Sequence, residues 1–297
     1  MNRQQTNGYL YALGASLALA ASFVFSKSAL NHLSMLQFGM FWFSLGVLWN
    51  GIWFFTRREY KQLRGDTGRK TGVAVVIAVL EGAATGLFYL AIKAMENPAV
   101  VAFIGNIGPV FVTLMGILLL KERFRTLQVV GIVTTIVGVF VINFREGGFA
   151  GFVDPGSIYV ISAAFLFSVA TIVGRRMHQW LVPGYMSLIR SFLLAVTMAL
   201  LFLRFGELSP LSLKIWKDLA LGSLLETLIV IVFAYQALKM IEATKTSLLI
   251  STKGVWTLLL AWIFLGVFPT GLELTGGLLT LVGVWLITWN REPAPQK

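Results

Sequence analysis

Glu81-Gly82-Ala83-Ala84-Thr85-Gly86-Leu87-Phe88-Tyr89-Leu90-Ala91-Ile92-Lys93-Ala94-Met95-Glu96 sets an acid deep in an apolar run and follows it with Tyr, Ala, Lys and Glu. The same order returns between Glu226 and Glu242, through Tyr235, Ala237 and Lys239. A separation of 146 residues carries Tyr89, Ala91, Lys93 and Glu96 onto Tyr235, Ala237, Lys239 and Glu242. Glu226 misses the counterpart of Glu81 by one position, so the two acids are expected to point in somewhat different directions.

The chain around this pair has 297 residues, of which 57% are hydrophobic and 12% charged. A soluble protein of this length needs far more charged surface. The apolar residues fall in runs long enough to cross a hydrocarbon core of about 30 Å, which takes about 20 helical residues. The composition therefore predicts an all-α polytopic membrane protein. Ten spans are expected, over 8–30, 34–56, 72–94, 98–120, 126–143, 156–177, 184–204, 216–238, 246–267 and 271–289. Met1 to Asn7 carries one Arg and lacks the basic stretch and cleavage site of a signal peptide, so the first span is expected to be retained. Asn97-Pro98 reads as an N-cap followed by proline at the first helical position. Pro155-Gly156 and Pro183-Gly184 mark the starts of spans six and seven.

The net charge of +11 arises mostly between the apolar runs, which points to the positive-inside bias rather than to nucleic acid. With the N-terminus cytoplasmic, sixteen Lys and Arg fall on that side and six on the other, with Arg190 and Lys253 inside spans. Both termini are then cytoplasmic, and a cell inner membrane is the expected location. The absence of cysteine excludes disulfides, thiolate metal sites and catalytic thiols, and His32 and His178 lie apart near span ends. No glycine-rich stretch ends in Lys-Ser/Thr, so no nucleotide-phosphate cradle is present. No cofactor or metal is expected.

The repeat extends beyond the glutamates. Gly108 maps on Gly254 at 146, Gly131 on Gly276 and Gly138 on Gly283 at 145, and Gly8 and Tyr11 on Gly156 and Tyr159 at 148. Each half, 1–147 and 148–297, holds five spans, an odd number, so the second must enter the membrane inverted. Inverted repeats characterise secondary transporters, with the site near the midplane where the halves meet.

Asn97-Pro98-Ala99 through Gly108-Pro109 to Leu120-Lys121-Glu122-Arg123, followed by Gln128, Gly131 and Gly138, resembles the drug/metabolite transporter superfamily in its EamA-type branch. The second copy departs from that pattern, with Val255 in place of the proline and no glutamate in the turn Gly266-Val267-Phe268-Pro269-Thr270. The resemblance implies a carrier of amino acids, other small metabolites, drugs, nucleotide sugars or sugar phosphates. It also implies a cavity framed by spans one to four and six to nine, leaving five and ten as supports or a homodimer surface.

Glu81 and Glu226 lie about 13 and 15 Å into their spans at 1.5 Å per residue. Hydrocarbon favours the neutral acid and a nearby cation favours the carboxylate, so each is either a carrier of the coupling proton or a fixed structural pair. Arg190 and Lys253 break the repeat: their counterparts are Trp42 and Ile107. Both lie about 10 Å from cytoplasmic span ends, where they either hold an anionic substrate group together or snorkel to the interface. Asn106 and its counterpart Thr252 supply polar groups in apolar helices, and Gly108-Pro109 should kink or loosen span four. Tyr89, Tyr235 and Trp256 are candidate lining residues, while Gly131, Gly138, Gly276 and Gly283 suit close helix packing.

The leading expectation is a secondary transporter, by family analogy an exporter, of a small polar or amphipathic metabolite such as an amino acid or related organic anion. Energy would come from a proton or an exchanged solute. A membrane-embedded enzyme, which would require a cluster of His, Asp or Glu, and a passive channel or scaffold are the competing classes.

Overall fold

The computed structural model describes residues 3–63, 65–120, 126–144, 154–177, 180, 182–241, 246 and 249–288. The protein is an all-α polytopic membrane protein. Among the described residues, eight helices are long and apolar enough to cross a bilayer: Gln4–Leu30, Met35–Thr56, Thr67–Ala94, Pro98–Gly116, Thr126–Asn143, Pro155–Gly174, Gly184–Phe205 and Gly271–Thr288. The two remaining expected spans coincide with Leu213–Met240, which a π-helical turn divides, and with the shorter apolar helix Leu249–Leu265. For brevity the ten stretches are called spans one to ten in chain order.

Local chemistry fixes the helix ends. Asn97 Oδ1 accepts from the amide of Ala99 at 2.9 Å, with Pro98 at the first helical position. Asp154 does the same for Gly156 before Pro155, and Ser34 and Ser212 cap spans two and eight. Gly266, at φ 69°, closes span nine in the left-handed conformation that glycine tolerates without cost. Spans one and three begin earlier than the hydropathy suggests, at Arg3 and Thr67, because polar residues extend the helices beyond their apolar parts. Three expectations lie outside the described residues: the turn at Lys121, Glu122 and Arg123, the repeat's Glu242, and the side chains of Tyr235 and Lys239.

Each of spans one to five packs against partners among spans six to ten. Span two packs on seven, four on nine and five on ten; span three packs on six and seven, and span eight on one and two. Exchanging every span for its counterpart 145 to 148 residues away returns the same set of neighbours. The tightest crossing joins spans five and ten. A Cβ added at Gly131 would lie 2.7 Å from Gly283 O, and one at Gly138 would lie 2.7 Å from Gly276 O. Residue numbers rise on one helix as they fall on the other, so these two spans run antiparallel. Lipid is as apolar as leucine, so close packing of small residues and cross-helix hydrogen bonds, rather than the hydrophobic effect, hold such helices together.

Span four breaks where its sequence suggests. Pro98–Ile104 gives way to a 3-10 turn at Gly105–Ile107 before the helix resumes at Gly108. Pro109 has no N–H to offer the preceding turn, and Ser168 Oγ donates to the Gly108 carbonyl at 3.1 Å from the neighbouring span six.

Candidate functional site

The two acids of the repeat meet at one cation. Arg190 of span seven holds one guanidinium nitrogen 3.5 Å from Glu81 Oε2 and another 3.6 Å from Glu226 Oε1. Glu226 is the more enclosed acid, its side chain 12% exposed against 32% for Glu81. It is also the better satisfied one. Trp42 Nε1 donates to Glu226 Oε2 at 2.9 Å and the Tyr89 hydroxyl donates to the same oxygen at 3.0 Å. Two carboxylates facing one guanidinium leave a formal surplus of one negative charge.

Helix geometry brings these groups together. Glu226 lies in the π-helical turn Leu225–Ile229, a feature frequent at functional sites. A π turn carries one residue more than the α-helix it interrupts. That accounts for Glu226 lying 145 residues from Glu81 while Tyr235 lies 146 from Tyr89; span three runs through the same region as uninterrupted α-helix. One turn before Glu226, Gly222 lacks the Cβ that would collide with the Trp42 ring. Trp42 is fully buried and packs on Phe38 and Tyr89, with ring centroids 4.8 and 5.5 Å away. Thr85, between Glu81 and Tyr89 on one face of span three, has a buried hydroxyl with no hydrogen-bond partner among the described residues.

A second polar group surrounds Lys253. Its Nζ donates to Asn106 Oδ1 at 3.1 Å, and Asn106 Nδ2 donates to Thr280 Oγ1 at 3.4 Å. Asn106 sits in the 3-10 break of span four, while Lys253 opens the helix Lys253–Leu265 after a turn at Thr252. The two breaks are counterparts, since Asn106 and Thr252 lie 146 residues apart. Thr252 Oγ1 lies 3.0 Å from Ser16 Oγ of span one and donates to the Leu249 carbonyl at 2.6 Å. Half-buried Trp256 follows Lys253 by one helical turn.

The sequence pairs Arg190 with Lys253, but the structure does not. Among the described residues the two cations share no partner: Arg190 belongs to the glutamates, and Lys253 has the neutral Asn106 and no carboxylate. The sequence reading missed Trp42, Ser16 and Thr280. Trp42 had a signal available, because it is the counterpart of Arg190; Ser16 and Thr280 are ordinary helix residues and had none. No three His, Cys, Asp or Glu side chains converge among the described residues.

Comparison with known proteins agrees with this architecture. The EamA-like transporter family matches residues 6–144 and again 154–289. An uncharacterised transporter of Synechocystis sp. is 27% identical over 244 residues, 77% of this chain and 68% of its own length. The uncharacterised transporter YxxF of Bacillus subtilis is 23% identical over 223 residues, 72% of this chain and 71% of its own. A solved structure titled only as a crystal structure of a protein superposes with a TM-score of 0.65 at 18% identity, covering 95% of this chain and 96% of the other, and so shares the fold. The chain belongs to the EamA-like transporter family and is a multi-pass membrane transporter.

Proposed function

We propose that the protein is a secondary active carrier, working as an exporter, for a small polar or amphipathic metabolite bearing a carboxylate, such as an amino acid or related organic anion. It works by alternating access between two inverted halves, 1–147 and 148–297, in the cell inner membrane with both termini cytoplasmic. The observation carrying this reading is Lys253: an ammonium at the break of span nine, half-buried, with a neutral amide and, among the described residues, no carboxylate as its partner. A broken span whose second part begins at the site turns its positive dipole end and free N–H groups toward an anion. Asn106, Thr252 and Trp256 lie at or beside the paired breaks and complete the contacts. The symmetric neighbour pattern of the spans and the antiparallel crossing of five and ten support the inverted halves.

Arg190 takes a different part from the one its sequence position suggests. Two carboxylates already occupy it, so a substrate anion would have to displace one. The reading assigns Glu81, Arg190 and Glu226 to coupling, with the surplus negative charge neutralised by one proton. Spans five and ten, packed on each other, support the carrier.

A thermal-shift screen of the purified protein against amino acids and small carboxylates tests this, followed by counterflow of any hit in liposomes. A carboxylate that stabilises the parent but not Lys253→Met, and that exchanges across the membrane, is expected; a ligand that selects the native state raises its apparent stability. A hit that stabilises both proteins equally, or that crosses without exchange acceleration, would refute the anion site or the carrier respectively.

A further inference from the structure

We infer that the two glutamates divide their labour: Glu81 alone exchanges the coupling proton, while Trp42 and Tyr89 act as positioning residues that hold Glu226 as the permanent counter-ion of Arg190. The inference rests on the reading of the Glu81–Arg190–Glu226 cluster as the coupling site and deepens it.

The donor inventory decides between the acids. Both oxygens of Glu226 are taken: Oε1 faces Arg190, and Oε2 receives Trp42 and Tyr89. Arginine and the indole N–H only donate and have no lone pair to offer. A proton on Oε2 of Glu226 would therefore point at a donor's hydrogen or displace it, and Oε1 is left with the one lone pair that Arg190 does not face, whereas an entire oxygen of Glu81 has no donor among the described residues. Tyr89 could turn to accept, but Trp42 cannot, and its ring is held over Gly222 by Phe38 and Tyr89. Glu81 has the opposite surroundings. Among the described residues its partner is Arg190 at 3.5 Å through one oxygen, and about a third of its side chain is exposed. A proton arriving from water adds to the open side of Glu81, takes the cluster's formal charge from minus one to zero, and displaces no donor.

Other charged and titratable groups on the helices around span three are engaged elsewhere. Lys27 donates to the carbonyls of Ile92, Lys93 and Met95 at the far end of the helix, and Lys93 donates to Leu33 O. Tyr185 meets Thr71, Tyr11 meets the Phe233 ring edge-on, Tyr159 packs on the apolar core, and Arg176 donates to Leu119 O. Arg190, with Glu226 behind it, is the charged neighbour that Glu81 has among the described residues.

The test needs no substrate, because the probe is the proton itself. Infrared difference spectra of the purified protein, stepped through pH, report the stretch of a protonated carboxyl in an apolar site. The parent should show one such titrating band, and Glu81→Gln should remove it. In Trp42→Phe combined with Tyr89→Phe, Glu226 loses two donors and becomes able to take a proton, so the band should rise about twofold. Adding Glu81→Gln to that pair should leave about half. Gly222→Ala, which moves the indole without changing any polar group, should act in the same direction as Trp42→Phe. Helical circular dichroism and a monodisperse elution peak establish that each variant is folded. A parent without the band, a band that survives Glu81→Gln, or a Gly222→Ala spectrum identical to the parent would overturn the inference. Carboxylate binding at Lys253 would stand in each of those cases, so the two readings fail separately.

Discussion

Trp42 and Arg190 stand 148 residues apart, at counterpart positions of the two halves, and both reach the carboxylate of Glu226, one at each oxygen. On the proposed reading of two repeated halves, one position serves twice with different chemistry, an uncharged donor from one side and a charged donor from the other. Glu81, the acid on span three, has only the charged donor among the described residues. The asymmetry of the site lies in its partners more than in its acids.

The first prediction follows from that arrangement. Arg190→Met would leave two acids facing each other with no cation between them. Breaking a buried ion network by removing one partner typically costs about 3–5 kcal/mol. The thermal midpoint should fall markedly for Arg190→Met and recover at least in part when Glu81→Gln and Glu226→Gln are added. A single variant as stable as the parent would mean that the ion pairs contribute nothing.

Lys253→Met should weaken binding of the best carboxylate ligand by at least tenfold and of a neutral analogue much less. Truncating one partner of a buried charged hydrogen bond typically costs about 2–5 kcal/mol. Lys253→Arg is not expected to rescue binding, because a planar guanidinium differs in shape from a compact ammonium. Isothermal titration of the folded proteins makes the comparison; equal affinities in parent and Lys253→Met would exclude a substrate contact.

Gly131→Leu should lower the thermal midpoint, since even its Cβ would meet the backbone of Ile287 at 2.7 Å. Overpacking of this kind costs about 1–3 kcal/mol. Gly51→Leu is the matched control, because nothing lies within 4 Å of a Cβ added there. Equal midpoints for the two variants would show that spans five and ten do not pack as described.

Reporter fusions test the orientation. Fusions at Arg64 and at the C-terminus should report cytoplasm, and one at Gly148 should report the opposite side, following the sixteen-to-six bias of Lys and Arg. A C-terminus on the far side would rule out ten spans in that orientation.

Much of the fold was legible because bilayers impose blunt rules. Apolar length gave eight of the spans, Asn97-Pro98 and Pro155 gave helix starts, and the glycine series gave close helix packing but not which helices it joins. The pairing of Glu81 with Glu226 through Arg190 was not legible, because periodicity states which residues share a helix but not which helices meet. The one-residue slip between the copies was visible in the sequence, yet a slip alone does not distinguish a turned side chain from a π turn. Trp42 was passed over because aromatic residues are abundant in this chain and a buried indole donor looks like any other ring until its acceptor is known.

The π turn at Leu225–Ile229 bears on the energetics of the whole cycle. If the two halves were identical, their interchange would convert the inward-open form into the outward-open form, and the two would have equal free energy. One inserted residue on span eight, with no counterpart on span three, removes that degeneracy at the place where the charges sit. On the proposed alternating-access cycle, a resting bias toward one face of the membrane, and with it a preferred direction of loading, would then be written into the length of a single helix.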